Sequence, residues 1–174
     1  MFLKAFFIPE VVLSSQIRRI AARIALQDEC SIIRVGDGAD ERPLEAIGME
    51  MWDVVEAAEE ILKRDNLMSR DEELLFAAVC GGEVVGGATL GRHEEEGQTV
   101  FFFSVGVDQT WQRKGLGRKL VEAVMGEVKS SGEQGYYRVW VVNPNMASLL
   151  ESMGFETEGS EWSEDSPHMY FYPR

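Results

Sequence analysis

Residues 105–120 read VGVDQTWQRKGLGRKL. An apolar, β-branched run gives way to a polar turn with two glycines, and then to a stretch of helical character. Leu120, Val124 and Val128 fall on one face of a helix from about Leu116 to Ser130, and Gly132 suits its C-terminal end. The stretch therefore predicts a buried strand ending near Val107, a glycine turn, and the first turn of a helix. Four cations, Arg113, Lys114, Arg118 and Lys119, crowd this turn in a chain whose net charge is −13. At such a junction several backbone N–H groups have no intrahelical partner and the helix dipole is positive, so a phosphate fits. Gly115 and Gly117 let the main chain approach a ligand without an intervening Cβ. The flanking cations would neutralise a diphosphate or a ribose phosphate. Neither GxxxxGK nor GxGxxG is present, which argues against the common nucleotide loops.

Outward from this point the chain reads as one α/β unit. Upstream lie a short strand in SIIRVG (31–36) and two acidic helical segments near Asp40–Ile47 and Met51–Arg64. ELLFAAVC and EVVGGATLGR follow as strands joined at Gly81–Gly82, a dipeptide suited to a two-residue hairpin. A solvated turn at Glu94–Gly97 precedes the long strand TVFFFSVGV. Downstream come the strand YYRVWVV, the helix NMASLLESM and two terminal strands. Strands alternating with helices imply a mixed sheet of about six to seven strands with helices on both faces. Residues 1–30 form a separate extension. Lys4, Arg18, Arg19 and Arg23 oppose only Glu10 up to residue 27, leaving the remainder much more acidic than the whole. Leu13, Ile17, Ile20 and Ile24 make an apolar helical stripe there, suited to docking on this domain, on a second subunit in a homodimer, or on a membrane surface.

Two motifs carry a family resemblance. Gln112, Gly115 and Gly117 fill Q/R-x-x-G-x-G/A, and about 30 residues later NPNMASLLESMGF resembles N-x-x-A-x-x-L-Y-x-x-x-G-F, with Asn143, Leu149, Gly154 and Phe155 in place. Both, in order and each after a strand and opening a helix, resemble the GNAT N-acetyltransferases over roughly residues 31–174. The resemblance implies a centrally splayed sheet with acetyl-CoA as co-substrate and no metal. Pantetheine would insert between the two strands preceding these helices, pairing with the backbone near Val105 and Val107. The amides of Gln112, Arg113, Lys114, Gly115, Leu116, Gly117 and Arg118 would hold the pyrophosphate, and Asn143 the pantetheine arm. On the residues alone, Val105 and Val107 are equally core positions of such a strand, and Asn143 equally a helix cap.

Acetyl transfer needs a neutral attacking amine, a donor for the developing oxyanion and a proton for the departing thiolate. The resemblance assigns the oxyanion donor to the Val107 amide. It assigns thiolate protonation to a tyrosine, yet Leu150 occupies that place and Met146 replaces the motif's alanine. Ser148, two residues away on the same helix, is a candidate donor. His168, opening the last strand, is a candidate base, and His93 beside the acidic turn is the weaker one. Alternate residues of the strand before the cradle, either Phe101 and Phe103 or Phe102 and Ser104, should face the acceptor.

Between Asp37 and Glu73 thirteen acidic residues face four basic ones. Such walls would draw a cationic amine acceptor, small or peptidic, although two solvated helices in an acidic protein would look the same. Met51 and Trp52 would supply its apolar floor or ordinary core. The overall charge argues against a nucleic-acid partner. No apolar run is long enough for a membrane span. Pro9 and Glu10 break the apolar start, which argues against a signal peptide. Cys30 and Cys80 match no metal spacing and read as two reduced thiols, Cys80 buried in a strand, in preference to a bridge or a nucleophile, which suits a cytoplasmic location. The alternative function is a catalytically silent module of the same fold that binds acyl-CoA as a sensor.

Overall fold

The computed structural model describes residues 30–36, 39, 44, 48–64, 72–141, 144–157 and 168–173. Residues 1–29 of the N-terminal extension, most of the acidic segment near Asp40–Ile47, and Asn143 lie outside the described residues, while Cys30 opens the first strand.

Among the described residues seven strands form one sheet: β1 (Cys30–Val35), β2 (Glu72–Cys80), β3 (Glu83–Glu95), β4 (Gln98–Val107), β5 (Tyr136–Trp140), β6 (Glu156–Thr157) and β7 (His168–Phe171). Their order is β1-β2-β3-β4-β5-β7-β6. Every neighbouring pair is antiparallel except β4 with β5. The hairpin turn at Gly81–Gly82 has φ of 61° and 83°, the left-handed backbone that two glycines adopt without a Cβ clash.

Among the described residues three longer helices accompany the sheet: α1 (Met51–Arg64), α2 (Leu116–Ser131) and α3 (Pro144–Glu151). The apolar stripe read from the sequence forms one face of α2, with Leu120, Val121 and Val124 fully buried. Gly132, at φ 73°, ends the helix in the left-handed conformation expected of a C-terminal glycine. Helices α2 and α3 pack on one sheet face, against Phe101, Phe103, Val105, Tyr137 and Val139. Helix α1 packs on the other, where Val54 and Ala58 meet Ile33, Val35, Ala77 and Val79. A Cβ at Gly87 would stand 3.1 Å from the Ala58 carbonyl oxygen, so glycine is what lets α1 lie this close to β3.

These packings settle which face is which. Period-two alternation puts Phe101 and Phe103 in the α2 core, so Phe102 and Ser104 point to the opposite face. Met51 is partly buried beside the α1 core and its sulfur accepts from the Gly36 N–H at 3.4 Å, while Trp52 is three-quarters exposed.

One expectation is corrected. Cys30 and Cys80 form a disulfide. They are direct partners in the β1–β2 ladder, with Cα atoms 4.3 Å apart. Their separation of 50 residues hides a contact that only strand register creates. The cysteines therefore no longer argue for a reducing compartment.

Candidate active site

Strands β4 and β5 run side by side only part of the way. Pairing extends from Val100 with Tyr136 to Phe103 with Val139, whereas β4 continues on β3 as far as Val107 with Gly86. Beyond Phe103 the two parallel strands have parted. The Asp108 N–H donates to the Val85 carbonyl of β3 at 2.8 Å. Since successive residues turn their backbone groups to opposite edges, the main-chain groups of Val105 and Val107 face the gap. The Val107 carbonyl accepts from Gln112 Nε2 at 3.1 Å, so Val107 offers the gap its N–H.

The turn that follows is held by Asp108. Its Oδ1 accepts from the Thr110 N–H at 3.0 Å and the Thr110 hydroxyl at 2.8 Å, and Arg64 of α1 reaches Oδ2 at 3.3 Å. The Thr110 bonds first, then Arg64, hold the Asp108 carboxyl below its ordinary 3.8. A depressed carboxylate stabilises the turn above that value and loses the contribution only as the pH falls below it. Arg113 and Gly115 then take left-handed backbone, φ 62° and 82°. For a non-glycine residue such as Arg113 this conformation costs about 1–2 kcal/mol, so the turn is held against its local preference.

Helix α2 begins without a side-chain cap at Gly115, and its first intrahelical bond runs from the Lys119 N–H to the Gly115 carbonyl. The N–H groups of Leu116, Gly117 and Arg118 are therefore left without intrahelical partners, at the positive end of the dipole. They open on a cleft of about 600 Å³ whose walls include Val107, Gln112, Arg113, Gly115, Gly117 and Arg118. The donors, the cations and the missing Cβ atoms fit a pyrophosphate.

Of the opposite wall, the second motif contains Leu149 among its defining residues but not Asn145. Asn145 and Leu149, one turn apart on α3, line the cleft together with Trp111. Ser152 continues that face and takes a 2.6 Å hydrogen bond from Arg118 Nη2. The helical spacing 145-149-152 was the available signal. Lys114 turns aside, its ammonium 4.1 Å from the centre of the Trp111 ring. Ser148 is exposed and is not among the cleft walls. Leu150 is fully buried in the core with Phe155 and Met169. Tyr137 is buried in the same core with its hydroxyl donating to the Met125 carbonyl at 3.5 Å, and burial pushes that hydroxyl up to about 12.

On the other sheet face, at the mouth of the gap, stand Trp140 and His168. They are cross-strand partners on β5 and β7, with ring centres 4.8 Å apart, edge to face. Ser104 and Thr89 also pair on this face, and Thr89 is buried with its hydroxyl unpartnered. His93 is exposed, with Nε2 3.5 Å from Glu95 and 3.4 Å from Arg138 Nη2, well down the sheet from the gap. The structure thus brings together the backbone of β4, the glycine turn and α3, with His168 across the sheet.

Among the described residues no helix is long and apolar enough to cross a membrane, and no cluster of side chains would hold a metal ion. A search of curated proteins finds no match to the chain. Among solved structures, AtaT complexed with acetyl-methionyl-tRNAfMet is similar at 16% identity and a TM-score of 0.52, over 83% of this chain and 95% of that one. An aminoglycoside acetyltransferase, HMB0005, from an uncultured soil metagenomic sample is similar at 14% identity and a TM-score of 0.50, over 78% and 97%. At these identities both speak to the fold. The family model described as Acetyltransferase (GNAT) family matches residues 41–155, from the acidic segment through the second motif. The parted strands and the uncapped glycine turn lie inside that span, and the chain belongs to the GNAT family of acetyltransferases.

Proposed function

We propose that the protein transfers an acetyl group from acetyl-CoA to a primary amine, by direct attack with both reactants bound. The observation that carries this is the gap beyond Phe103 and Val139, which leaves the Val105 main chain and the Val107 N–H facing the gap beside an uncapped helix start. Val105 and Val107 pair with the pantetheine amides, and Asn143 is assigned to the same arm. The amides from Gln112 to Arg118 hold the pyrophosphate, with Lys114 contributing main chain rather than its side chain. The amine enters from the face carrying Ser104, Trp140 and His168. Its nitrogen bonds to the carbonyl carbon as the carbon–sulfur bond breaks. The Val107 N–H stabilises the oxyanion. His168 takes the proton that the amine loses, through a water where the acceptor is short. The thiolate is protonated through water, and the proton held on His168 is returned to that water so that no hydroxide remains, because Leu150 sits in the core and Ser148 stands outside the cleft. Side-by-side binding supplies much of the acceleration.

Titration calorimetry with coenzyme A tests the cofactor half. Heat with coenzyme A and with desulfo-CoA but not with ATP is expected, and no heat on folded protein overturns the reading. Thiol release from acetyl-CoA across a panel of amines tests the other half. Binding without turnover across a broad panel would instead support the silent module that Leu150 suggests. Arg118→Ala is expected to weaken coenzyme A binding by about 1–3 kcal/mol, since Ser152 already holds the guanidinium at the cleft wall. An unchanged dissociation constant would place Arg118 outside the site.

A further inference from the structure

On the sheet face opposite α2, the alternate residues of β5 and β7 are aromatic almost without interruption. From the gap downward run Trp140, His168, Tyr170, Tyr136 and Tyr172, with successive ring centres 4.8, 6.5, 6.3 and 5.1 Å apart. The two ends, Trp140 at 59% and Tyr172 at 61%, are among the most exposed large apolar side chains described. The track spans the four residue steps from Trp140 to Tyr136, roughly 13 Å at strand rise. Arg138 lies within it, paired with Glu95 at 2.9 Å. The lower end adjoins the acidic turn that follows Glu95, where the Tyr136 hydroxyl approaches the same carboxylate at 3.4 Å.

We infer that this track selects the acceptor, and that the acceptor is a linear polycationic amine: one terminal nitrogen at the gap, further ammonium groups and short methylene runs laid along the rings. The inference rests on the acyltransferase reading above and names the substrate class of that site. Ammonium groups are attracted to aromatic faces, and methylenes pack on them. A chain of net charge −13 attracts polycations and repels nucleic acid. An extended peptide fits this face poorly. Strand β7 is paired on both edges, and β5 is paired with β7 and, up to Val139, with β4. A peptide lying on the rings would therefore find no strand edge for its own amides, whereas a polyamine has none to satisfy.

Spermine and butylamine serve as probes on the full chain. The ratio of kcat/KM for spermine over butylamine is expected to exceed ten. Trp140→Leu and Tyr172→Leu should each lower that ratio by about threefold to tenfold, and Trp140→Phe should keep most of it. The loss should appear in KM for spermine rather than in kcat. Calorimetry of spermine on the coenzyme A-saturated protein reads the same contacts without chemistry. Spermine binding that both leucine variants weaken, without turnover of any amine, would sink the transfer reaction and sustain the track. Turnover of butylamine as efficient as that of spermine, a ratio untouched by both variants, or a clear preference for a peptide N-terminus or a flat aromatic amine would overturn the track and leave the reaction standing.

Discussion

Gly117→Asp is expected to abolish coenzyme A binding, raising the dissociation constant more than about a hundredfold, while the chain still folds. The N–H groups of Leu116, Gly117 and Arg118 form the uncapped start of α2, and the substitution places a carboxylate among them. An aspartate in the first turn suits the helix dipole, so the helix itself does not suffer. The Cβ would meet only Leu149 Cδ2, at 3.3 Å, the end of a side chain with room to shift. What changes is the ligand's side of the cleft. The carboxylate occupies the donors that would hold the diphosphate and repels its charge. Calorimetry decides the matter, with circular dichroism as the control for folding. Retained affinity in the folded variant would move the phosphate site elsewhere.

Gly135→Ala should act on the frame rather than on the ligand. A Cβ at this position would come within 2.3 Å of the Thr99 carbonyl oxygen and 2.8 Å of the Phe101 ring. The first of these is backbone, which cannot swing aside. Gly135 directly precedes Tyr136, the first residue of β5 to pair with β4. The substitution must therefore push the two parallel strands apart at the end where they should be joined. The expected cost is about 3 kcal/mol or more, a fall in Tm on the order of 6–12 °C for a domain of this size. Because the position of β5 also sets the width of the gap, weaker coenzyme A binding should accompany the lower Tm. A variant as stable as the parent would show that β5 does not approach β4 this closely.

The missing tyrosine of the second motif takes on a different meaning in three dimensions. From the motif alone, Leu150 looked like an absent acid at a site. In the fold it is a fully buried core residue, while Asn145 and Leu149 present their side chains to the cleft. A hydroxyl at position 150 would need a partner within the core. The helix presents its cleft face one residue earlier, so chemistry that depends on a side-chain acid must draw on another element.

Local sequence was enough wherever one element carried the information. The apolar period of 116–131, the glycines at 115, 117 and 132 and the long apolar run 99–107 specified a strand, a glycine turn and a helix with their ends. These features were legible because helix termini and strand faces follow from backbone geometry within a few residues. Register, facing and contact between distant segments were decided by tertiary structure alone. Phe101 and Phe102 differ only in which face of the sheet α2 covers. Cys30 and Cys80 meet only because β1 and β2 pair as they do. The point where β4 leaves β5, on which the proposed chemistry depends, is written in no single strand. It arises from a sheet that holds two parallel neighbours together at one end and lets them part at the other, and no local period records such a divergence.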